Sequence, residues 1–265
     1  SKNIDWQAMK EEWIAEVSRS VLPKLANDTR FGRATELIDR FHHEIEIWRK
    51  TNSFRPVIEI GNELAAAECL LGRLSVGDSL IYEPPMPDTN KRIDFLKTNS
   101  AGAYEWIEVK TVSPQWADDE AGWLRFTRIA QAFPENSRLV VAKEWAGAAI
   151  AGQSIKARWS FIQRTVEVEK RATFIPRNQR GPVSLLFCST GSDWYQDELE
   201  DFADFYRTGK HRADDWLRSA ADRYMHDEGI RFSQSLSGFH YLAREHGEVS
   251  AHDFSMQVAG PSLGA

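Results

Sequence analysis

The segment Trp106-Ile107-Glu108-Val109-Lys110 sets a carboxylate and an ammonium two residues apart. In an extended strand, residues at that spacing share a face, so Glu108 and Lys110 project side by side while Ile107 and Val109 point the other way. Upstream, Asp94 stands between the apolar residues Ile93 and Phe95 and so faces away from both. An antiparallel hairpin across the intervening loop brings Asp94 beside Glu108. Adjacent carboxylates repel and raise a pKa unless a cation sits between them. A hard cation such as Mg²⁺ takes one or two carboxylates with backbone carbonyl, water and substrate phosphate. These residue types therefore point to metal-assisted chemistry at a phosphate.

A third acid stands earlier in the chain. Glu63 follows Ile60 by three residues and precedes Ala67 by four, which places it in or beside the apolar stripe of a helix. A carboxylate there is costly unless it is paired or ligates a metal. Glu59 lies one turn earlier, nearer the helix start, where the helix dipole favours a negative charge, and is the second choice.

The elements that must position these groups are legible in the periodicity. A first helix opens at Asp5 with Trp6, Met9, Trp13 and Val17 at helical spacing and ends before Pro23. A second carries Leu37, Phe41, Ile45 and Trp48 on one face. A third runs from Pro56 to about Gly72 with Ile60, Leu64, Ala67 and Leu71 as its stripe. The period then changes. Strands are expected over 78–83, 91–97 and 104–112, separated by the turn-rich stretches Pro84 to Asn90 and Thr98 to Gly102. Helical spacing returns from about Glu120, with Ile155, Trp159, Ile162 and Val166 on one side. A fourth strand covers Val183 to Ser189, and two helices follow around Leu199, Phe202 and Tyr206 and around Trp216, Ala220 and Tyr224. The tail from Gly229 has no clear pattern. The expected architecture is one α/β domain: a helical segment over 1–56, a mixed-sheet core over 57–192 with a helical insertion at about 120–180, and a helical segment and tail over 193–265.

The order helix with Glu63, strand, strand with Asp94, strand with Glu108-Val109-Lys110, helix, strand resembles the PD-(D/E)XK nuclease superfamily, over roughly residues 57–189. The resemblance implies a restriction-endonuclease-like fold, with a mixed sheet flanked by helices, and hydrolysis of phosphodiester bonds. It makes Asp94 and Glu108 metal ligands, Lys110 the group that positions the attacking water, and Glu63 an accessory acid. Val109 completes the expected metal-binding set. Mg²⁺ is the expected cofactor, with Mn²⁺ able to substitute. Ile93 stands where the superfamily name has Pro, whereas a literal Pro87-Asp88 lies upstream. Asp88 reads as a turn residue in a Pro-rich loop. Asp94 is preferred because a strand fixes its carboxylate opposite Glu108. Whether Lys110 also acts as the general base is open, since that role requires a pKa well below about 10.4.

The net charge of −6 does not suit a protein that coats nucleic acid indiscriminately. Residues 120–182, however, hold eleven cations against five anions, about +6, and leave the rest of the chain at about −12. That asymmetry permits a localised phosphate-binding surface. Arg125 and Arg128, one turn apart, with Gln131 continuing the face, are candidate nucleic-acid contacts, joined by Lys156 and Arg164; ordinary surface polarity is the alternative. DNA is favoured over RNA as partner, and enzymes of this fold often work as homodimers or larger assemblies. An RNA-directed or toxin-like nuclease and a non-catalytic binding module are the competing readings.

Other tempting motifs carry less. His42 and His43 diverge by about 100° on a helix and cannot readily share one ion. Ser189-Thr190-Gly191-Ser192 lacks the Gly-Lys-Ser/Thr ending of a phosphate loop. Asp118-Asp119-Glu120 reads as a helix N-terminus. Cys69 and Cys188 sit in apolar segments without zinc-site spacing, as buried reduced thiols would. No apolar run approaches the ~20 residues of a membrane span and no signal-like stretch opens the chain, so a soluble, cytoplasmic protein is expected.

Overall fold

Pro56 stands in the first turn of the helix Arg55–Gly72, where its missing N–H costs nothing. From Ile60 through Ala67 every residue of that helix is buried. A helix buried all round must lie inside the molecule rather than on it, and this one is wedged between the sheet and the helices before it. The amphipathic stripe expected for it is therefore only part of its buried surface.

The computed structural model describes residues 6–87, 89–112, 148–190, 195–211, 216–244 and 253–257. The elements in chain order are α1 (Trp6–Ser20), α2 (Leu22–Asn27), β1 (Phe31–Gly32), α3 (Ala34–Thr51), α4 (Arg55–Gly72), β2 (Ser79–Tyr82), β3 (Phe95–Thr98), β4 (Tyr104–Val112), α5 (Ala148–Ala172), β5 (Val183–Thr190), α6 (Tyr195–Thr208), α7 (Trp216–Asp227), β6 (Gly238–Arg244) and β7 (Asp253–Gln257). The described strands form one mixed seven-stranded sheet in chain order. β1–β2, β4–β5 and β5–β6 are parallel; β2–β3, β3–β4 and β6–β7 are antiparallel. The α/β class with a helix-flanked mixed sheet is thus as expected. No described helix is long and apolar enough to cross a membrane.

Each face of the sheet has its own core. Phe95, Ile107, Val109, Leu186, Cys188 and Leu242 pack with α1 to α4. Trp106, Val112, Leu185, Phe187, Phe239 and Tyr241 pack with α5, α6 and α7. Leu185 to Cys188 are fully buried, the unbroken apolar run of a strand covered on both faces. Because strand residues alternate, Glu108 and Lys110 go to the α5 side and Val109 and Thr111 to the α4 side, where Thr111 takes a hydrogen bond from Asn62 (2.8 Å).

Several expectations change. The first helix ends before Pro23 as expected, at Ser20, but a second short helix, with Pro23 in its first turn, follows at once. The short strand β1 has no signal in two residues. The tail from Gly229 supplies β6 and β7, and β6 lies beside the most buried strand. The expected insertion is, over 148–172, a core helix. Its buried face includes Arg158, Phe161, Ile162, Thr165, Val168 and Glu169; of the expected stripe Ile162 is on it, whereas Val166 is half-buried and Trp159 exposed. Arg158 is the cause of this rotation: its guanidinium is buried against Glu198 (2.6 Å) and Asp201 (2.8 Å) of α6, while Trp159 is left at the rim, stacked on Tyr224.

The β4–β5 seam that carries the site is set by a close approach. Trp106 donates its backbone N–H to Pro182 (2.8 Å) and its indole N–H to Gln179 (2.9 Å). A Cβ at Gly181 would overlap the Tyr104 carbonyl. Gly181→Ala is expected to cost about 2–4 kcal/mol in urea denaturation. An unchanged midpoint would show that the seam yields freely.

Candidate functional site

The site begins with a mismatch in strand length. β3 pairs only with residues 104–107 of β4, whereas β4 runs on to Val112 against β5. Beyond Ile107 the β3-facing edge of β4 is therefore open, and the chain turns away at Asp94, a bend immediately before β3. This differs from the expected strand over 91–97. Asp94 still lies opposite Glu108, but side chains rather than a ladder hold it there. Its backbone N–H donates to Glu108 Oε2 (3.2 Å) and its Oδ2 accepts the Val109 N–H (2.7 Å). From the other side, the Glu83 N–H donates to the Asp94 carbonyl (2.7 Å).

Glu108 is fully buried. Its Oε1 receives both Lys110 Nζ (2.5 Å) and Arg171 Nη1 (2.5 Å). Arg171, from the last turn of α5, also donates to the Arg92 carbonyl (3.2 Å) and pairs with Glu167 one turn earlier. Glu167 in turn pairs with Arg164 (3.0 Å). On the opposite side, Glu63 of α4 accepts the Tyr82 hydroxyl (2.8 Å) and faces Arg40 (3.6 Å). Arg40 donates to the Tyr82 oxygen (2.8 Å) and to Glu83 (3.1 Å).

Arg40, Glu63, Glu83, Asp94, Lys110, Arg164, Glu167 and Arg171 line one polar cleft of about 440 Å³, with Glu108 and Tyr82 buried behind its wall. The cleft shapes their protonation. Burial raises the Asp94 carboxyl well above the usual carboxylate range, and the Glu108 and Glu63 charges raise it further. Burial likewise pushes Glu63 up to about 7, against the pull of Arg40 and Tyr82. For Lys110, burial works against the charge, but Glu108 and Asp94 outweigh it and hold the ammonium above its ordinary value. As arranged here, Lys110 is a held cation and not a base.

The donor chemistry fits a hard divalent cation. Two carboxylates converge at the end of the β3–β4 pair, Val109 lines the same cleft, and the crowding that raises Asp94 is what such an ion relieves. Among the described residues no three His, Cys, Asp or Glu side chains converge as a ready-made cage.

The other expected residues divide three ways. Arg164 lines the cleft. Lys156 sits two turns before it on α5, about 12 Å along the axis. Arg125, Arg128 and Gln131 lie outside the described residues, as do Asp88, Gly191, Ser192 and the Asp118-Asp119-Glu120 run. Glu59 reaches the cleft but pairs with Arg55 (3.1 Å) and is half-exposed. His42 and His43 are exposed on α3. Cys188 is a buried thiol whose Sγ faces the Asn62 carbonyl (3.9 Å), whereas Cys69 is only half-buried. Among the residues the sequence did not single out are Arg40, Glu167 and Arg171 on the cleft wall and Tyr82 against Glu63. The run Arg164, Glu167, Arg171 on one helical face was a usable signal for two of them; nothing marked Arg40 or Tyr82.

The raised Glu63 makes stability pH-dependent. The folded state holds its proton up to about pH 7, the unfolded chain only to about 4.5. Stability from this group is therefore complete below pH 4.5 and lost as pH rises through 7. Relative to wild type, Glu63→Gln is expected to gain about 3 kcal/mol between pH 4.5 and 8 in metal-free urea denaturation. A constant difference across that range would rule the shift out.

Neither a protein-family model, nor a curated protein, nor a solved structure matches the chain, so the functional reading rests on the chemistry of this cleft.

Proposed function

We propose that this chain is a metal-dependent nuclease with a restriction-endonuclease-like core, hydrolysing phosphodiester bonds, with DNA as the favoured substrate and the cytoplasm as its setting. One observation carries the reading. Glu108 accepts the Asp94 backbone N–H and Asp94 accepts the Val109 N–H, with Lys110 on Glu108, at an open strand edge that borders a polar cleft.

In this reading Asp94 and Glu108 hold Mg²⁺ or Mn²⁺, with Val109 contributing its carbonyl. When bound there, the ion supplies a Lewis acid for the scissile phosphate and an acidified water. Lys110 orients the attacking water and offsets charge developing on the phosphorus oxygens. In the metal-free cleft Glu108 and Asp94 hold Lys110 as a cation, which suits it to electrostatic stabilisation. Glu63, poised near neutrality, is the accessory acid behind Asp94. Arg164, on the cleft wall, meets the phosphate backbone, with Lys156 further along the same helix.

One observation favours a second reading, a non-catalytic nucleic-acid-binding module of the same fold. Lys110 and Arg171 together satisfy Glu108 without a metal. The two readings part in a cleavage assay on plasmid DNA, single-stranded DNA and RNA with Mg²⁺ or Mn²⁺. Cleavage is expected with either ion and none in a chelator. Asp94→Asn, Glu108→Gln and Lys110→Met are each expected to lower the rate by about 10³-fold or more with unchanged circular dichroism. Full activity in Asp94→Asn or Lys110→Met would sink the nuclease assignment; cleavage of RNA alone would reassign the substrate.

A further inference from the structure

Glu108 Oε1 is the most contested atom in the cleft. Two cations meet it at 2.5 Å, one from its own strand and one from α5. A buried carboxylate needs compensation, but a third positive charge brought to the same carboxylate meets the repulsion of both. One of them must leave before Glu108 can ligate a divalent ion. The two are not equally free to do so. The Lys110 side chain is only 17 % exposed and sits two residues from Glu108 on the same strand face. The Arg171 side chain is 25 % exposed and borders the cleft. It has a second anchor on its own helix, Glu167, which lies further toward solvent at 34 % exposure. Arg171 can therefore release Glu108 and keep an ion pair.

We propose that Arg171 is a placeholder cation for the metal: it neutralises Glu108 in the empty cleft, is displaced onto Glu167 when the divalent ion binds, and from there contacts the substrate phosphate. The inference rests on the metal-site reading above and extends it to a residue with no motif assignment. A guanidinium suits both positions, since its planar fork pairs equally with a carboxylate or with two phosphate oxygens. Glu167 is then a positioning residue that holds the displaced guanidinium in reach of the cleft.

Two readouts with opposite signs test this. Mn²⁺ affinity, measured by calorimetry without nucleic acid, is expected to become about five- to tenfold tighter in Arg171→Met, because the competing charge is gone. Turnover of the Mn²⁺-loaded protein on DNA is expected to fall by about 10- to 100-fold in the same variant, and Arg171→Lys is expected to lie between it and wild type on both readouts. Lys91→Met, which removes an exposed cation from the cleft wall, serves as the control for overall charge. Unchanged or weaker Mn²⁺ binding in Arg171→Met, with wild type binding normally, would overturn the placeholder role and leave the metal site standing. Equal tightening in Lys91→Met would overturn it too, by showing a general field effect. Mn²⁺ binding that is missing from every variant, or unaffected by Asp94→Asn, would overturn the metal site itself.

Discussion

A carboxylate with no exposure to water stands in the middle of a strand, and the local structure is organised around its compensation. Glu108 is flanked on β4 by Trp106, Ile107 and Val109, all buried. Left alone in that setting it would either take up a proton or destabilise the fold. One of its oxygens takes the Asp94 backbone N–H and the other takes Lys110 and Arg171. Each partner constrains an element: Asp94 fixes where the chain bends ahead of β3, and Arg171 fixes the last turn of α5 against the sheet. The Glu108 contacts thus tie β3, β4 and α5 to one point.

The same point explains why the cleft opens here. A β3 strand continued past Phe95 would pair residues 108–112 of β4 and close the edge. By bending at Asp94 the chain leaves that edge open and fills only part of the notch with the Asp94 carboxylate, bonded to the Val109 N–H. The notch lies where the two faces of the sheet meet, so α4 can deliver Glu63 from one side and α5 can deliver Arg171 from the other. The two apolar cores, built on opposite faces of β4 and β5, hold those helices rigidly enough for the charges to converge.

The strand bearing Glu108 and Lys110 and the helix bearing Glu63 were readable because each depends on local periodicity. The contacts that complete the cleft were not, because they depend on tertiary packing. Arg40 reads as a solvent-side residue of α3, yet it reaches Tyr82 and Glu63 because β2 packs beside that helix. The stripe on α5 was read one step out of phase because a buried arginine is an improbable core residue until its partners Glu198 and Asp201, 40 and 43 residues away, are in place. β6 was missed for a similar reason. Its sequence Gly-Phe-His-Tyr-Leu-Ala-Arg is short and lacks clean alternation, and only the pairing with β5 makes it a strand.

The energetics bear on what the cleft is for. Buried charge networks seldom earn their place by stability: replacing such a network with apolar side chains of matching shape is often neutral or stabilising by about 1–4 kcal/mol. Here Glu63, Asp94 and Glu108 crowd together with Asp94 raised well above its ordinary range, and Arg40 is divided between Glu63 and Glu83. Contrast the Arg158 cluster on the far side of α5. There the guanidinium pairs with Glu198 and Asp201 at the contact between two helices and serves their packing. The Asp94 cluster joins a strand, a bend and two helices around an open cleft and leaves like charges unrelieved. Strain of that kind, concentrated where solvent can enter, is what the proposed metal site would draw on and a packing contact would not.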